Sequence, residues 1–221
     1  MMEFHKLVML VSAATWQTLV MVFLSTVFSV LLGLPVGVLL CTSDPENGIR
    51  PRPVLNQILT RIVNALRSFP FIILMILLFP LSRILIGTSI GTAATIVPLS
   101  IAAAPFVARV IESSLKEVDP GVVQAARAMG STDMQIIAKV LIPEALPSLV
   151  DGVTLTVINL IGYSAMAGAI GGGGLGDLAI RYGYQRFRTE VMAAAVIVIL
   201  VMVEAIQFAG TRISNRLMAR R

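Results

Sequence analysis

"LVMLVSAATWQTLVMVFLSTVFSVLLGLPVGVLLCTS" runs from Leu7 to Ser43, 37 residues without one Asp, Glu, Lys or Arg. A helix rises about 1.5 Å per residue, so about 20 residues cross a hydrocarbon core roughly 30 Å thick. The run is too long for one crossing and too short for two with a turn. It reads as an interfacial N-terminal segment followed by a membrane span over about 15–40. Trp16 then falls at the outer interface, where tryptophan is enriched, and Gly33 with Pro35 predicts a bend near the inner end. The apolar run after Lys6 reaches no small-residue cleavage site, so it reads as a span and not as a removable signal.

The rest of the chain follows the same rule. Of its 221 residues 57% are hydrophobic and 13% are charged, whereas an ordinary soluble domain carries about a quarter charged residues. A soluble core could not hide this much apolar surface. The expected fold class is therefore all-α, an integral membrane protein whose 221 residues form one membrane domain with five spans. After the loop "SDPENGIRPRP" (43–53), further spans are expected at about 58–81, 90–111, 149–170 and 191–210. The second joins the dense apolar stretch Phe69–Leu81 to the amphipathic Val54–Leu66, with Arg61 and Arg67 snorkelling to the headgroups. The third contains Pro98 and Pro105, tolerable where neighbouring helices and hydroxyls satisfy the freed carbonyls.

Charge orients this arrangement. The formal net charge is +5, and the basic residues sit between apolar runs, which points to topology and lipid and not to nucleic acid. One side would hold Arg50, Arg52, Arg61, Arg67, Arg109, Lys116, Arg127, Lys139, Arg212, Arg216, Arg220 and Arg221. The other would hold Lys6, Arg83, Arg181, Arg186 and Arg188. Twelve against five puts the C-terminus in the cytoplasm and the N-terminus outside. Cys41 has no second cysteine to pair with and reads as an apolar filler. The lone His5 has no partner for a metal or a nucleophile, so no metal site and no catalytic residues are expected.

One cytoplasmic stretch, about 113–147, breaks the apolar pattern. "QAARAMGSTDMQIIAKVLIPEALPSL" (124–149) carries two short amphipathic patterns. Asp119 is a good N-cap and Pro120 a good first helical residue. Val122, Ala125, Ala126 and Met129 recur at helical spacing and predict one apolar face, ended by Gly130. Thr132 with Gln135 predicts a capping box for a second helix. Met134, Ile137, Ala138 and Leu141 would make its apolar face and Pro143 would stop it. Small residues on the first face let another surface come close. The same pattern also suits a helix pair packed on its own membrane domain, and periodicity alone leaves the two readings open.

Permeases of ABC importers carry a cytoplasmic signature of Glu-Ala-Ala, three residues, Gly, nine residues, then Ile, any residue, Leu, Pro. Gln124, Ala125, Ala126, Gly130, Val140, Ile142 and Pro143 fall in that register, with Gln124 in place of the acidic residue. The stretches "RSFPFIIL", "TSIGTAATIVPLSIAAAPFVARVIESSL", "EVDPGVVQAARAMGS" and "GYSAMAGAIGGGGLGDLAIRYGYQRF" resemble the permeases of the D/L-methionine uptake family, over about Arg67 to Phe187. The resemblance implies a coupling helix, with Gln124, Ala125, Ala126, Met129 and Gly130 against an ATP-binding subunit. It implies a permease homodimer in a bacterial inner membrane, two ATP-binding subunits and an external substrate-binding lipoprotein. It implies no cofactor on this chain, and ATP with magnesium on the partner. Methionine itself, as against another amino acid or small polar solute, rests wholly on the resemblance.

The chain has no G-x-x-x-x-G-K-[ST] loop, so it is not expected to cradle ATP phosphates itself. A rival class is an ion-gradient-driven transporter, which needs an ionisable group inside a span. Glu204 is the candidate, and pairing with Arg212 near the inner interface is its structural alternative. The run "GYSAMAGAIGGGG" (162–174) supports either close helix packing or a narrow path. In the second reading Met166 closes the path as a flexible apolar gate, with Tyr163 and Ile170 one turn either side in a single stripe.

Overall fold

The computed structural model describes residues 4–219. Arg220 and Arg221, counted above on the basic side, lie outside the described residues. The elements are α1 (Phe4–Thr42), α2 (Pro53–Ser68), α3 (Phe71–Ile86), α4 (Thr92–Lys116), α5 (Pro120–Ala128) and α6 (Asp133–Ile136). A π-helical turn, Ile137–Leu141, leads into α7 (Ile142–Gly168). Then come α8 (Gly174–Leu178), a second π-helical turn (Ala179–Tyr184) and α9 (Thr189–Met218). No strand occurs among the described residues. Among the described residues four helices are long and apolar enough to cross a membrane, or five spans if α2 and α3 together count as one broken span.

Two expectations about the first two spans are corrected. The N-terminal segment and the first span are one helix, 39 residues without a break. It continues through Gly33 and Pro35, and both glycines of its second half serve packing. A methyl group on Gly33 would lie 2.8 Å from the Ala104 carbonyl, and one on Gly37 2.6 Å from that of Ala108. The backbones of α1 and α4 therefore meet directly there, as small residues permit in membrane helices. The stretch 58–81 is not one helix. It breaks at Phe69 and Pro70, because proline removes a donor and forces the preceding residue out of helical conformation. The amphipathic half (α2) and the apolar half (α3) are separate elements.

Hydroxyl groups inside the apolar helices bond back to the preceding turn. Thr26 donates to the Val22 carbonyl at 2.7 Å, Ser100 to that of Ile96 at 2.6 Å and Thr154 to that of Val150 at 2.8 Å. This satisfies the hydroxyl without any partner from outside the helix. Among the described residues no buried side-chain nitrogen or oxygen lacks a partner.

The chain packs as two compact units, and each of α1, α4, α7 and α9 contributes a portion to both. The first unit contains the chain up to Ser29, Phe69–Ala103 and Thr156–Gln207. Its apolar interior has two clusters. Met21, Val22, Leu99, Ala103, Leu160 and Ile161 form one. Ala14, Leu175, Leu178, Val191 and Ala195 form the other. The glycine-rich turn is tied down here: the Gly174 and Leu175 N–H groups at the start of α8 donate to Gln17 and Thr18 of α1, both at 2.9 Å. The second unit contains Val30–Ser68, Ala104–Leu155 and the chain from Phe208. Its core is Cys41, Ile49, Val107, Ile111, Leu115, Ala126, Ile136, Leu141 and Ala145. Cys41 is a buried free thiol in that core.

Candidate functional site

The hairpin of the second unit is built by local chemistry. Asp119 caps α5 by accepting from the Gly121 N–H at 2.7 Å, with Pro120 at the first helical position. At the other end the Ser131 N–H reaches back to the Ala126 carbonyl at 3.1 Å and the Gly130 N–H to that of Arg127 at 3.0 Å. These two bonds make a Schellman motif with Gly130 in the left-handed region at φ 81°. Thr132 and Gln135 then form the capping box that starts α6, with bonds of 3.4 and 2.9 Å.

The faces of α5 differ from the expected single stripe. Ala126 is only 4% exposed and packs in the core of the second unit. Val123 lies beside it. Val122, Gln124 and Ala125 are exposed, and Met129 is 80% exposed. The apolar residues thus split, with Ala126 turned inward and Val122, Ala125 and Met129 outward. A spacing argument cannot separate 125 from 126, since neighbours on a helix differ by about 100° and an apolar stripe is itself about that wide.

The second arm is corrected twice. Pro143 does not stop it: one helical stretch runs from Asp133 to Gly168. Pro143 sits just past the π-helical turn, where the Ile142 N–H reaches back five residues to Ile137 and the hydrogen-bond ladder is already shifted. The inward residues are Ile136, Leu141 and Ala145, whereas Met134 and Ala138 are exposed. The spacing from Ile136 to Leu141 is five residues, and from Leu141 to Ala145 four. The π turn inserts the extra residue. A strict α-helical period anchored on Leu141 therefore selects Ile137 and misses the fully buried Ile136.

The hairpin is held by the 43–52 loop. The Arg127 guanidinium donates to the Ile49 carbonyl at 2.7 Å, and Arg50 pairs with Asp133. Asn56 of α2 ties the end of α1 to the start of this loop, donating to the Leu40 carbonyl at 2.8 Å and to the Ser43 hydroxyl at 3.2 Å. A cleft of about 410 Å³ lies between loop and hairpin, lined by Asp44, Asn47, Lys116, Val123, Gln124 and Arg127 among others. Burial works against ionisation of Asp44. The Lys116 ammonium and the N–H groups of Asn47 and Glu46 outweigh it and hold the carboxyl below its usual range. Apart from the turn that Asp44 makes with Glu46 and Asn47, these pairings were not foreseeable from local pattern, because the partners lie far apart in sequence.

The expected gate residues belong to the first unit, and they do not form one stripe. Tyr163 stacks on Phe71 of α3, ring centroids 4.2 Å apart and planes 9° from parallel. Met166 is 47% exposed and lies one turn after the exposed Gly162 on the same face of α7. Ile170 lies past the end of α7, in the turn where its N–H bonds the Ala167 carbonyl at 3.1 Å. The helix ends at Gly168, so the third member of the stripe is lost. Glu204 is exposed, and among the described residues it makes no ion pair with Arg212. The Arg212 guanidinium lies instead over the Phe208 ring, 6.0 Å from its centroid.

Long apolar helices with a capped, clamped hairpin of short helices define a polytopic membrane protein of permease build. Residues 29–219 match the family described as binding-protein-dependent transport system inner membrane component. The chain is 50% identical over 207 residues to the probable D-methionine transport system permease protein MetI of Vibrio cholerae, covering 94% of this chain and 92% of that one. To the protein of the same name from Pasteurella multocida it is 46% identical, over 94% of this chain and 95% of that one. A solved structure of the MetNI methionine ABC transporter, inward facing, matches with a TM-score of 0.94 at 46% identity, over 97% of this chain and 99% of that one. An amino acid ABC transporter solved with histidines shares the fold, at a TM-score of 0.77 and 22% identity. This chain belongs to the family of binding-protein-dependent transport system inner membrane components.

Proposed function

We propose that the chain is the permease subunit of an ATP-driven importer for D- and L-methionine. The carrying observation is its likeness, over nearly the full length, to permeases named for D-methionine transport. In this reading the 221 residues act as one permease domain in a bacterial inner membrane, N-terminus outside and C-terminus in the cytoplasm. Two copies form the path. Two ATP-binding subunits dock on the hairpins, bind ATP with magnesium and hydrolyse it, and an external lipoprotein delivers substrate. The permease contributes no catalytic group.

The hairpin suits the coupling role. Its outward surface is apolar and small, with Val122, Ala125 and Met129 on α5 and Met134 on α6, and Gln124 beside them. Such a face lets a partner approach closely. Ala126 and Gly130 act indirectly, the first by seating α5 on its own core and the second by setting the turn. Force on α6 passes straight into α7, because the two are one continuous helical stretch. Met166 with Gly162 offers the exposed part of a path wall, and Met166 is its movable apolar closure. Tyr163, fixed by its stack on Phe71, positions that wall.

Reconstitution with the ATP-binding and substrate-binding partners tests the reading. Labelled methionine should accumulate in vesicles only with ATP on the hairpin side, and should be indifferent to ionophores. Uptake that an ionophore abolishes at constant ATP would establish a gradient-driven carrier instead.

A further inference from the structure

Glu112 is a carboxylate on α4 that is 6% exposed and uses both of its oxygens. One accepts from Arg109 at 2.6 Å, the other from the Lys116 ammonium at 2.9 Å. Arg109 continues to Asn64 of α2 at 2.9 Å, and Lys116 to Asp44 of the 43–52 loop at 2.7 Å. That loop in turn carries the hairpin, through Ile49 to Arg127 and through Arg50 to Asp133. One buried carboxylate therefore stands at the centre of a polar chain from α2, across α4, to the loop and both helices of the hairpin. All of it lies within the second unit.

Only three residues separate the end of α4 from α5, Glu117 to Asp119, and Glu117 is itself held by the Ser148 hydroxyl at 2.5 Å. With that short connection alone, the hairpin could tilt about Asp119 and Pro120 while α4 stayed still. The loop contacts remove this freedom, because tilting α5 would pull Arg127 off Ile49. Exposed ion pairs hold little on their own. A buried carboxylate between two cations is different, because removing it leaves the mostly buried Arg109 with only the neutral Asn64 and Thr60 oxygens, and leaves Asp44 alone to hold Lys116.

We propose that Glu112 is a positioning residue for energy coupling. It locks Lys116 onto Asp44, and thereby locks the loop and hairpin to α4, so that movement forced on the hairpin reaches the helix instead of being absorbed by the loop. The inference rests on the importer reading above. It assigns the polar chain a role in transmission that is separate from docking, since none of its members lies on the outward face of α5.

The experiment measures methionine taken up per ATP hydrolysed by the complete reconstituted complex. Glu112→Gln, Lys116→Met and Asp44→Asn are each compared with the conservative Glu112→Asp, Lys116→Arg and Asp44→Glu. The neutral variants should still bind the ATP-binding subunit and hydrolyse ATP, while the uptake-to-hydrolysis ratio falls roughly two- to thirty-fold. Lys116→Arg should restore the ratio. Should Glu112→Gln fail to assemble, Lys116→Met and Asp44→Asn decide, at positions closer to solvent. Variants that assemble and keep the parent's ratio overturn the inference alone. A parent complex that recruits no ATP-binding subunit overturns the importer reading and this inference with it.

Discussion

Ala125 and Ala126 are neighbours in one short helix, yet an aspartate at each should fail in a different way. Ala126 is buried against the core that includes Leu115, Ile136 and Leu141. A carboxylate there finds no cation and loses its water, which costs about 3 kcal/mol or more even after relaxation. Ala125 faces outward, where a substitution alters stability by about 0.5 kcal/mol, plus a few tenths for a negative charge near a helix C-terminus. Pressed against a docked subunit, the same unpaired charge should cost about 2 kcal/mol or more, a roughly thirty-fold loss of affinity. Purified permease in detergent gives the first quantity by thermal unfolding, and titration with the ATP-binding subunit gives the second. Ala125→Asp should melt like the parent and bind weakly. Ala126→Asp should melt early or fail to accumulate. A stable Ala126→Asp that loses binding, beside an Ala125→Asp that binds normally, would invert the two faces and refute the argument.

Gly130→Ala should lower stability by about 1–2 kcal/mol through its left-handed backbone alone, since an added methyl meets nothing within 4 Å, and Gly130→Asn should restore part of the loss in the same melting assay. Met166→Ala should keep ATPase binding but leak small solutes from vesicles without ATP, and an assembled, tight variant would leave Met166 as helix packing. In a Cys41→Ala background, single cysteines at the exposed Asn47 and Asn215 should escape an impermeant thiol reagent in intact cells, while one at the exposed Gln185 should react. Reaction at position 47 would reverse the topology. Asp44 is held below its ordinary value when folded, so its contribution is present above about pH 4 and is lost as pH falls through the folded value. Asp44→Asn should flatten that acid limb of a pH–stability curve, and an unchanged limb would show that other carboxylates account for it.

Most of the secondary structure of the hairpin was legible because its signals are local. Asp119–Pro120, Gly130 and the Thr132–Gln135 pair each act within one helical turn, and each does in the structure what its chemistry requires. The faces were not legible. Assigning them needs the register of the second arm, and the π turn shifts that register by one residue with no marker beyond the nearby Pro143 and Pro147. The expected pair of Glu204 with Arg212 does not form because eight residues along one helix stand about 12 Å apart, and Arg212 lies instead over Phe208, one turn away. The gate stripe failed at Ile170 because the helix ends at Gly168.

Length of apolar run, absence of charge and distribution of Arg and Lys determine by themselves that this is a helical membrane protein, because a membrane core admits backbone only when its hydrogen bonds close internally. Caps and turns likewise follow from neighbouring residues. Tertiary structure alone decided which side of α5 is free and which charges meet, whereas the break between α2 and α3 lies at Pro70, a local signal. Arg109, Glu112 and Lys116 are visible in sequence as one face of a helix, but Asp44 and Asn64 join them only because α1, α2 and α4 pack together. Contacts between residues 45 and more positions apart carry no periodic trace, since each side chain's own spacing is satisfied whichever partner it finds.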